Sequence, residues 1–121
     1  MVYCASSLSL AALETAVHLA AGDLPLNRFA VCVEIPEGIW AARVTRDARS
    51  LPVGWTAIPA GKVSLDVGGA WLSSLDSAVL VVPSVVVPEE SSIIINPRHP
   101  DAGRITAAKV RPWHFDGRLK R

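Results

Sequence analysis

The chain has 121 residues, half of them hydrophobic, with a mean hydropathy of +0.35. This length accommodates one domain, residues 1–121, with a single hydrophobic core. Its 12 basic and 11 acidic residues leave a formal net charge of +1, which argues against direct binding to nucleic acid or to a charged membrane. Two cysteines, Cys4 and Cys32, are too few for a disulfide scaffold, and both lie in strand-like segments, so we expect small, buried, reduced thiols.

The apolar N-terminal stretch does not have the features of a signal peptide. It lacks a basic start, since the first Lys or Arg is Arg28, and Glu14 and His18 interrupt it. No apolar run approaches the ~20 residues that a membrane-spanning helix needs. We therefore predict a cytoplasmic protein without a membrane segment. Many of the basic residues lie near the C-terminal end of the sequence. There we expect either a solvated surface or a contact with phosphate or an acidic partner.

The first predicted elements are a strand at Val2–Ala5 and a helix after it. Ser6, Ser7 or Ser9 can cap this helix, and the sequence Gly-Asp-Leu-Pro at residues 22–25 ends it. The spacing predicts a buried apolar stripe, formed by Leu10, Leu13, Val17, Ala20 and Ala21. Glu14 falls inside that stripe, although a buried, unpaired carboxylate costs several kcal/mol. This carboxylate is therefore either paired or retained for chemistry.

The next segments predict strands separated by loops. In RFAVCVEIP, alternation predicts a half-buried strand whose inward side chains are Phe29, Val31, Val33 and Ile35. Proline and glycine break up residues 36–61, where we predict loops, one helical turn around residues 41–48 and an aromatic anchor in LPVGW. Residues 63–75 favour a second helix with Trp71 and Leu72 inward, although two adjacent glycines weaken it.

SAVLVVPSVVVPEE carries the strongest strand signal, because an uninterrupted β-branched run suits a central strand that is buried on both faces. Pro83 and Ser84 interrupt it, which predicts a strand end or a bulge. SIIINPRHPD predicts another strand ending at Asn96, and residues 105–119 predict a last strand-like piece with a polar end. The predicted fold class is α/β (α+β), a mixed β core with one well-defined amphipathic helix.

Three polar residues stand where burial is predicted: Glu14, Ser84 and Asn96. Tyr3, the only tyrosine, lies in the first strand. Each has a structural alternative, namely a salt bridge for Glu14, a bulge cap for Ser84, a turn with the following proline for Asn96 and simple packing for Tyr3. Sequence pattern alone leaves these alternatives open.

Other chemistries have little support. No Gly-rich phosphate loop or Walker-type sequence is present. The histidines and cysteines lack metal-ligand spacing, which disfavours a metal site. Ser84, His99 and Asp101 could form a hydrolase triad, but no nucleophile-elbow sequence supports one. His18, one turn from Glu14, could hydrogen-bond to it, and a structural role is favoured for this histidine.

Five segments of the sequence carry a family resemblance. In chain order they are VYCASSLSLAALETAVHL, LPVGW, LVVPSVVVPEES, IIINPRHPD and FDGRL. Together they resemble the RES-domain family. The family is named for an Arg, a Glu and a Ser, and its members are typically toxins of bacterial toxin–antitoxin pairs. The resemblance implies a fold related to NAD-dependent ADP-ribosylating toxins and an activity on NAD. It places the family Glu on Glu14 as the catalytic residue and the family Ser on Ser84, which is expected to hydrogen-bond NAD. Tyr3 and Asn96 match further positions expected to bind NAD.

The resemblance also implies a partner, a cognate antitoxin with an Xre-like helix-turn-helix domain, through which DNA contact would be indirect. This sequence departs from the family at its start. It begins within the VYA-like strand, so we expect an N-terminal truncation relative to the family, whose upstream segment carries the name-giving Arg. Loss of a charge-assisted contact to the NAD pyrophosphate would cost about 1.5–3 kcal/mol. Three explanations are open. Either Arg98 or Arg111 takes the place of the family Arg, or the upstream segment is missing from this sequence, or the protein is not a full enzyme.

The leading hypothesis is a toxin that cleaves the nicotinamide–ribose bond of NAD, with water, phosphate or a protein side chain as the ADP-ribose acceptor. The alternative is a non-catalytic RES-fold module that binds a cognate antitoxin. A third reading is a stable fragment without activity of its own. Dependence of NAD consumption on Glu14 distinguishes the first hypothesis from the other two.

Overall fold

The computed structural model of the protein describes residues 1–17, 28–47, 49, 62–116 and 118. Within these residues the chain is an α+β fold with few helices, one mixed four-stranded sheet and one antiparallel two-stranded sheet. This confirms the predicted fold class. The elements in chain order are β1 (Val2–Ala5), α1 (Leu8–Val17), β2 (Arg28–Glu34), α2 (Glu37–Ala41), β3 (Val44–Thr45), α3 (Lys62–Ser74), β4 (Val79–Pro83), β5 (Ser91–Ile95), a 3₁₀ helix (Pro100–Arg104) and β6 (Thr106–Trp113).

The main sheet has the strand order β1-β5-β4-β3. β5 is antiparallel to both of its neighbours, whereas the short β3 runs parallel to β4. The predicted central strand is confirmed, because β4 lies inside the sheet and Val79 and Leu80 are almost fully buried. The predicted strand end at Pro83 is also confirmed, and Val85 to Val87 form bends after it rather than more strand.

Two apolar clusters cover the two faces of β4, as the alternation of side chains along a strand requires. On one face Val79 and Val81 pack with Ile39 of α2. On the other face Leu80 packs with Trp71 of α3, whose indole Nε1 donates to Ser77 Oγ at 3.0 Å. The predicted second helix and its inward Trp71 are therefore confirmed.

The helix α1 begins where the sequence predicts, and Ser7 is its cap. Ser7 Oγ accepts a hydrogen bond from Leu10 N–H at 3.1 Å. Leu10 is buried, but Leu13 and Val17 are 38% and 48% exposed, so the predicted stripe is wrong at these two positions. The fully buried residues of α1 are instead Leu10 and Ala16, so the covered side of the helix does not follow the predicted line of apolar residues. The predicted helix end, with Ala20 and Ala21, lies outside the described residues.

The strand β2 is confirmed, but its predicted inward face is wrong at Phe29 and Val31. Ala30 is buried, whereas Phe29 and Val31 are about half exposed. Among the described strands, β2 pairs with β6 alone, in a two-stranded sheet whose register shifts between Ala30 and Val31. Burial does not follow one face along the strand, because Cys32 is exposed on the opposite face, whereas Val33 is partly buried and Ile35 packs against the cluster around Ile39.

Two further predictions concern residues 36–61. The short helix lies at Glu37–Ala41, before the predicted 41–48 turn, because Val44 and Thr45 extend as β3 alongside β4. Burial of Ile39 stabilises the helix at that earlier position. The LPVGW segment lies outside the described residues.

The two cysteines differ in exposure, and this leads to a test of the fold. Both lie in strands, as predicted, but Cys4 is half-buried and Cys32 is exposed, so burial of Cys32 is wrong. Burial raises the pKa of the Cys4 thiol, so less thiolate is present at neutral pH. We expect iodoacetamide to modify Cys4 at least about tenfold more slowly than Cys32 near pH 7, with the difference narrowing as the pH rises. Peptide mass spectrometry measures both rates, and equal rates at neutral pH would contradict the exposure difference.

Candidate active site

Glu14 is the centre of a polar cluster between α1 and the main sheet. It lies one turn after the buried Leu10, and its side chain is half-buried. The hydrogen bonds of Glu14 within the described residues come from two serine hydroxyls. Among the described residues, the carboxylate is therefore paired by neutral hydroxyl donors rather than by a salt bridge.

Ser84 lies directly after β4 and is 1% exposed. Its hydroxyl donates to Glu14 Oε1 at 2.7 Å, across 70 residues of sequence. The same oxygen accepts hydrogen bonds from Val86 N–H and Val87 N–H, each at 3.1 Å. Its backbone N–H donates to the Glu90 carbonyl at 2.8 Å. The turn after β4 thus holds this serine firmly against Glu14.

Ser92 is the second hydroxyl at Glu14 and was missed in the sequence analysis. It lies on β5 and donates to Glu14 Oε1 at 3.1 Å. Its pairing partners across the sheet are Ala5 and Val82. The sequence did contain a signal that Ser92 faces inward. Ser92 and the buried Ile94 are two residues apart on a strand and therefore project to the same face.

Tyr3 lies on the same face of the sheet as Ser92. It pairs with Ile94, and directly paired residues of antiparallel strands project to the same side. The Cα atoms of Tyr3 and Ser92 are diagonal neighbours, about 7–8 Å apart in such a pair. The ring is 67% exposed, so it is available to a ligand that lies beside Glu14.

Asn96 occupies the other end of β5. It is fully buried; its amide Nδ2 donates to the Leu72 carbonyl at 3.1 Å, and its Oδ1 accepts from Arg98 N–H at 3.0 Å. Asn96 lies four residue steps from Ser92, which is roughly 13 Å along the strand direction. The structure therefore brings Glu14 and Ser84 together, aligns Tyr3 with them, and keeps the amide of Asn96 in contacts with α3 and the following turn.

The alternative triad has no geometric support in the described contacts. The hydroxyl of Ser84 is directed to Glu14. Nδ1 of His99 accepts from Asp101 N–H at 3.0 Å, which caps the 3₁₀ helix. Asp101 in turn forms an ion pair with Arg104 at 3.1 Å. His18 lies outside the described residues.

Two arginines were considered as substitutes for the family Arg. Arg111 stacks its guanidinium on the Trp113 ring, 4.7 Å from the ring centroid, on the ribbon formed by β2 and β6. Arg98 is exposed, next to Asn96 at the end of β5. Within the described residues, no hydrogen bond joins either guanidinium to Glu14 or Ser84.

A metal cluster and a membrane-spanning helix are both absent from the part of the chain that the structure describes. Among the described residues, no three His, Cys, Asp or Glu side chains are grouped so as to hold a metal ion. None of the described helices has the length and apolar character to cross a membrane.

The geometry agrees with comparisons to known proteins. The RES domain family model matches residues 1–116, and the chain belongs to this family. A Sphingobium protein named "Prs ADP-ribosylating toxin" is 52% identical over 121 residues, which cover all of this chain and 75% of that protein. Proteins named "Toxin Res" from Yersinia enterocolitica and Photorhabdus laumondii are 37% and 34% identical over 98% of this chain, covering 77% and 74% of their own lengths.

Proposed function

We propose that this protein is the toxin of a bacterial toxin–antitoxin pair and that it cleaves the nicotinamide–ribose bond of NAD, with transfer of ADP-ribose to a protein. The observation that carries the proposal is the contact between Glu14 and Ser84 at 2.7 Å. These two residues match the Glu and Ser of the family name, and they lie 70 residues apart in the sequence.

The chemistry of NAD cleavage requires what Glu14 offers. Breaking the bond to nicotinamide leaves a ribose with oxocarbenium character and positive charge. A carboxylate held in a partly desolvated site stabilises that charge as it develops. Nicotinamide departs as a neutral molecule, so the reaction needs no second carboxylic acid to protonate the leaving group. One fixed carboxylate therefore suffices at the reacting centre.

The other residues take roles that follow from their exposure. Tyr3 has an exposed ring on the Glu14 side of the sheet, where it would stack on a ring of NAD. Ser84 is buried, so it acts by holding Glu14 rather than through a broad contact with NAD. The contact of Asn96 with NAD remains a prediction, since both polar groups of its side chain already have protein partners.

A protein is the proposed acceptor because of the relative from Sphingobium. Its name describes ADP-ribosylation of an acceptor called Prs, and its 52% identity extends over all 121 residues of this chain. The sequence alone left water, phosphate and a protein side chain equally open. The same kind of acceptor is therefore proposed here.

The proposed partner is a cognate antitoxin with an Xre-like helix-turn-helix domain. A protein that consumes NAD harms the cell that makes it, so an inhibitor must accompany it in the cytoplasm. A net charge of +1 does not favour direct DNA binding, which supports the proposal that DNA is contacted by that partner instead. Other toxin-named relatives support the toxin assignment.

The test is incubation of the purified 121-residue chain with NAD that is labelled in its adenylate phosphate, with and without bacterial cell extract. We expect release of nicotinamide and transfer of the label to a discrete extract protein. Label recovered only as free ADP-ribose or its phosphate ester would overturn the proposed protein acceptor. A folded chain that releases no nicotinamide would contradict the activity and favour the alternative, an antitoxin-binding module.

A further inference from the structure

The two oxygens of the Glu14 carboxylate have different surroundings. Both serine hydroxyls, of Ser84 at 2.7 Å and of Ser92 at 3.1 Å, donate to the same oxygen, Oε1. Within the described residues, no hydrogen bond reaches Oε2. One oxygen is therefore held by the protein, and the other is left for a different partner.

Hydrogen-bond capacity makes this arrangement directional. A serine hydroxyl has one proton to donate and two lone pairs that accept. Ser84 Oγ already accepts from Val86 N–H and Val87 N–H, so its proton is directed to Glu14. Ser92 has no such backbone contacts among the described residues, and its hydroxyl donates to Glu14 alone.

We propose that Ser92 is a positioning residue, which together with Ser84 fixes Oε1 and thereby presents Oε2 to the ribose of NAD. This inference rests on the proposed function. One donor from the turn after β4 and one from β5 define the direction of the carboxylate plane better than a single donor does. Preorganised charge is effective only at the right position, and a displacement of about 1 Å costs roughly 100-fold in rate.

Ser92 is a better probe of this role than Ser84. Replacing Ser84 also removes the acceptor of two backbone N–H groups and disturbs the turn after β4. In Ser92→Ala the backbone ladder of β5 is unchanged, and only the hydroxyl is lost. Ser91→Ala is the matched control, because neighbouring strand residues project to opposite faces.

The experiment measures kcat and KM for NAD cleavage in wild type, Ser92→Ala, Ser92→Thr and Ser91→Ala. We expect Ser92→Ala to lower kcat about 10- to 50-fold with KM within about twofold, because the lost bond acts on the group that stabilises the transition state. Threonine keeps a hydroxyl and suits a strand, so Ser92→Thr should retain activity within about fivefold. Ser91→Ala should match the wild type, and all melting temperatures should agree within a few degrees.

The outcomes separate this inference from the proposed function. A wild-type rate in folded Ser92→Ala, while Glu14→Gln is inactive, would overturn the positioning role and leave the function standing. A raised KM with unchanged kcat would also overturn it, since that pattern indicates a binding contact. An inactive wild type would overturn both. A loss of kcat in Ser92→Ala that threonine rescues supports the proposal.

Discussion

Replacement of Glu14 with glutamine is expected to lower NAD turnover at least about 100-fold while leaving the fold intact. The amide is nearly isosteric with the carboxylate, and its oxygen can still accept the hydroxyls of Ser84 and Ser92. Its NH₂ group would take the place of Oε2, the oxygen proposed to face the substrate, so a neutral donor would replace the negative charge that stabilises the oxocarbenium-like ribose. Nicotinamide release measures the rate, and thermal melting measures the fold.

Glu90→Gln is the matched control for this variant. Glu90 is an exposed carboxylate on the loop after β4, and its Oε1 accepts a hydrogen bond from Ser7 Oγ at 3.3 Å. The same charge is removed close to the site without touching Glu14, so activity should remain near that of the wild type. Full turnover by a folded Glu14→Gln variant would refute the catalytic assignment. A large fall in its melting temperature with turnover retained would assign Glu14 a structural role.

Replacement of Asn96 with alanine is expected to have the largest effect on stability among the predicted site residues. The change removes the side-chain partners of two partly buried backbone groups, the Leu72 carbonyl and the Arg98 N–H. Each buried group left unsatisfied costs about 1–3 kcal/mol, so we expect a loss of roughly 2–4 kcal/mol. For a domain of this size, the melting temperature should fall by roughly 10 °C or more.

Arg98→Ala is the control for the Asn96 variant. The hydrogen bond to Asn96 uses the backbone N–H of Arg98, which alanine keeps, and the arginine side chain is exposed. Its stability should therefore stay close to that of the wild type, and its KM for NAD tests whether this arginine grips the pyrophosphate. An Asn96→Ala protein with normal stability and a raised KM would reverse our interpretation and assign Asn96 to NAD binding.

Much of the fold follows from local patterns. The β-branched run at β4 and the serines before α1 are properties of neighbouring residues, so the sequence was sufficient to predict the strand and to limit the helix cap to three serines, of which Ser7 is the one used. The errors concern which face is covered. Phe29 and Val31 on β2 were predicted to be inward and are half exposed, because periodicity defines two faces and says nothing about which neighbour packs against them.

For the candidate site as well, local sequence patterns predicted some of the residues, and the tertiary structure was needed for the others. The sequence by itself singled out Glu14, as a carboxylate within an apolar stripe, and Ser84, as a polar break in an apolar run. Only the tertiary structure brought them together and added Ser92, since the pairing of β4 with β5 places two hydroxyls on one carboxylate oxygen from 70 and 78 residues away. The physical reason is that a carboxylate among apolar residues can be recognised from the sequence of one helix. The hydroxyl groups that compensate for its burial come from distant segments, and their positions depend on the register of the whole sheet.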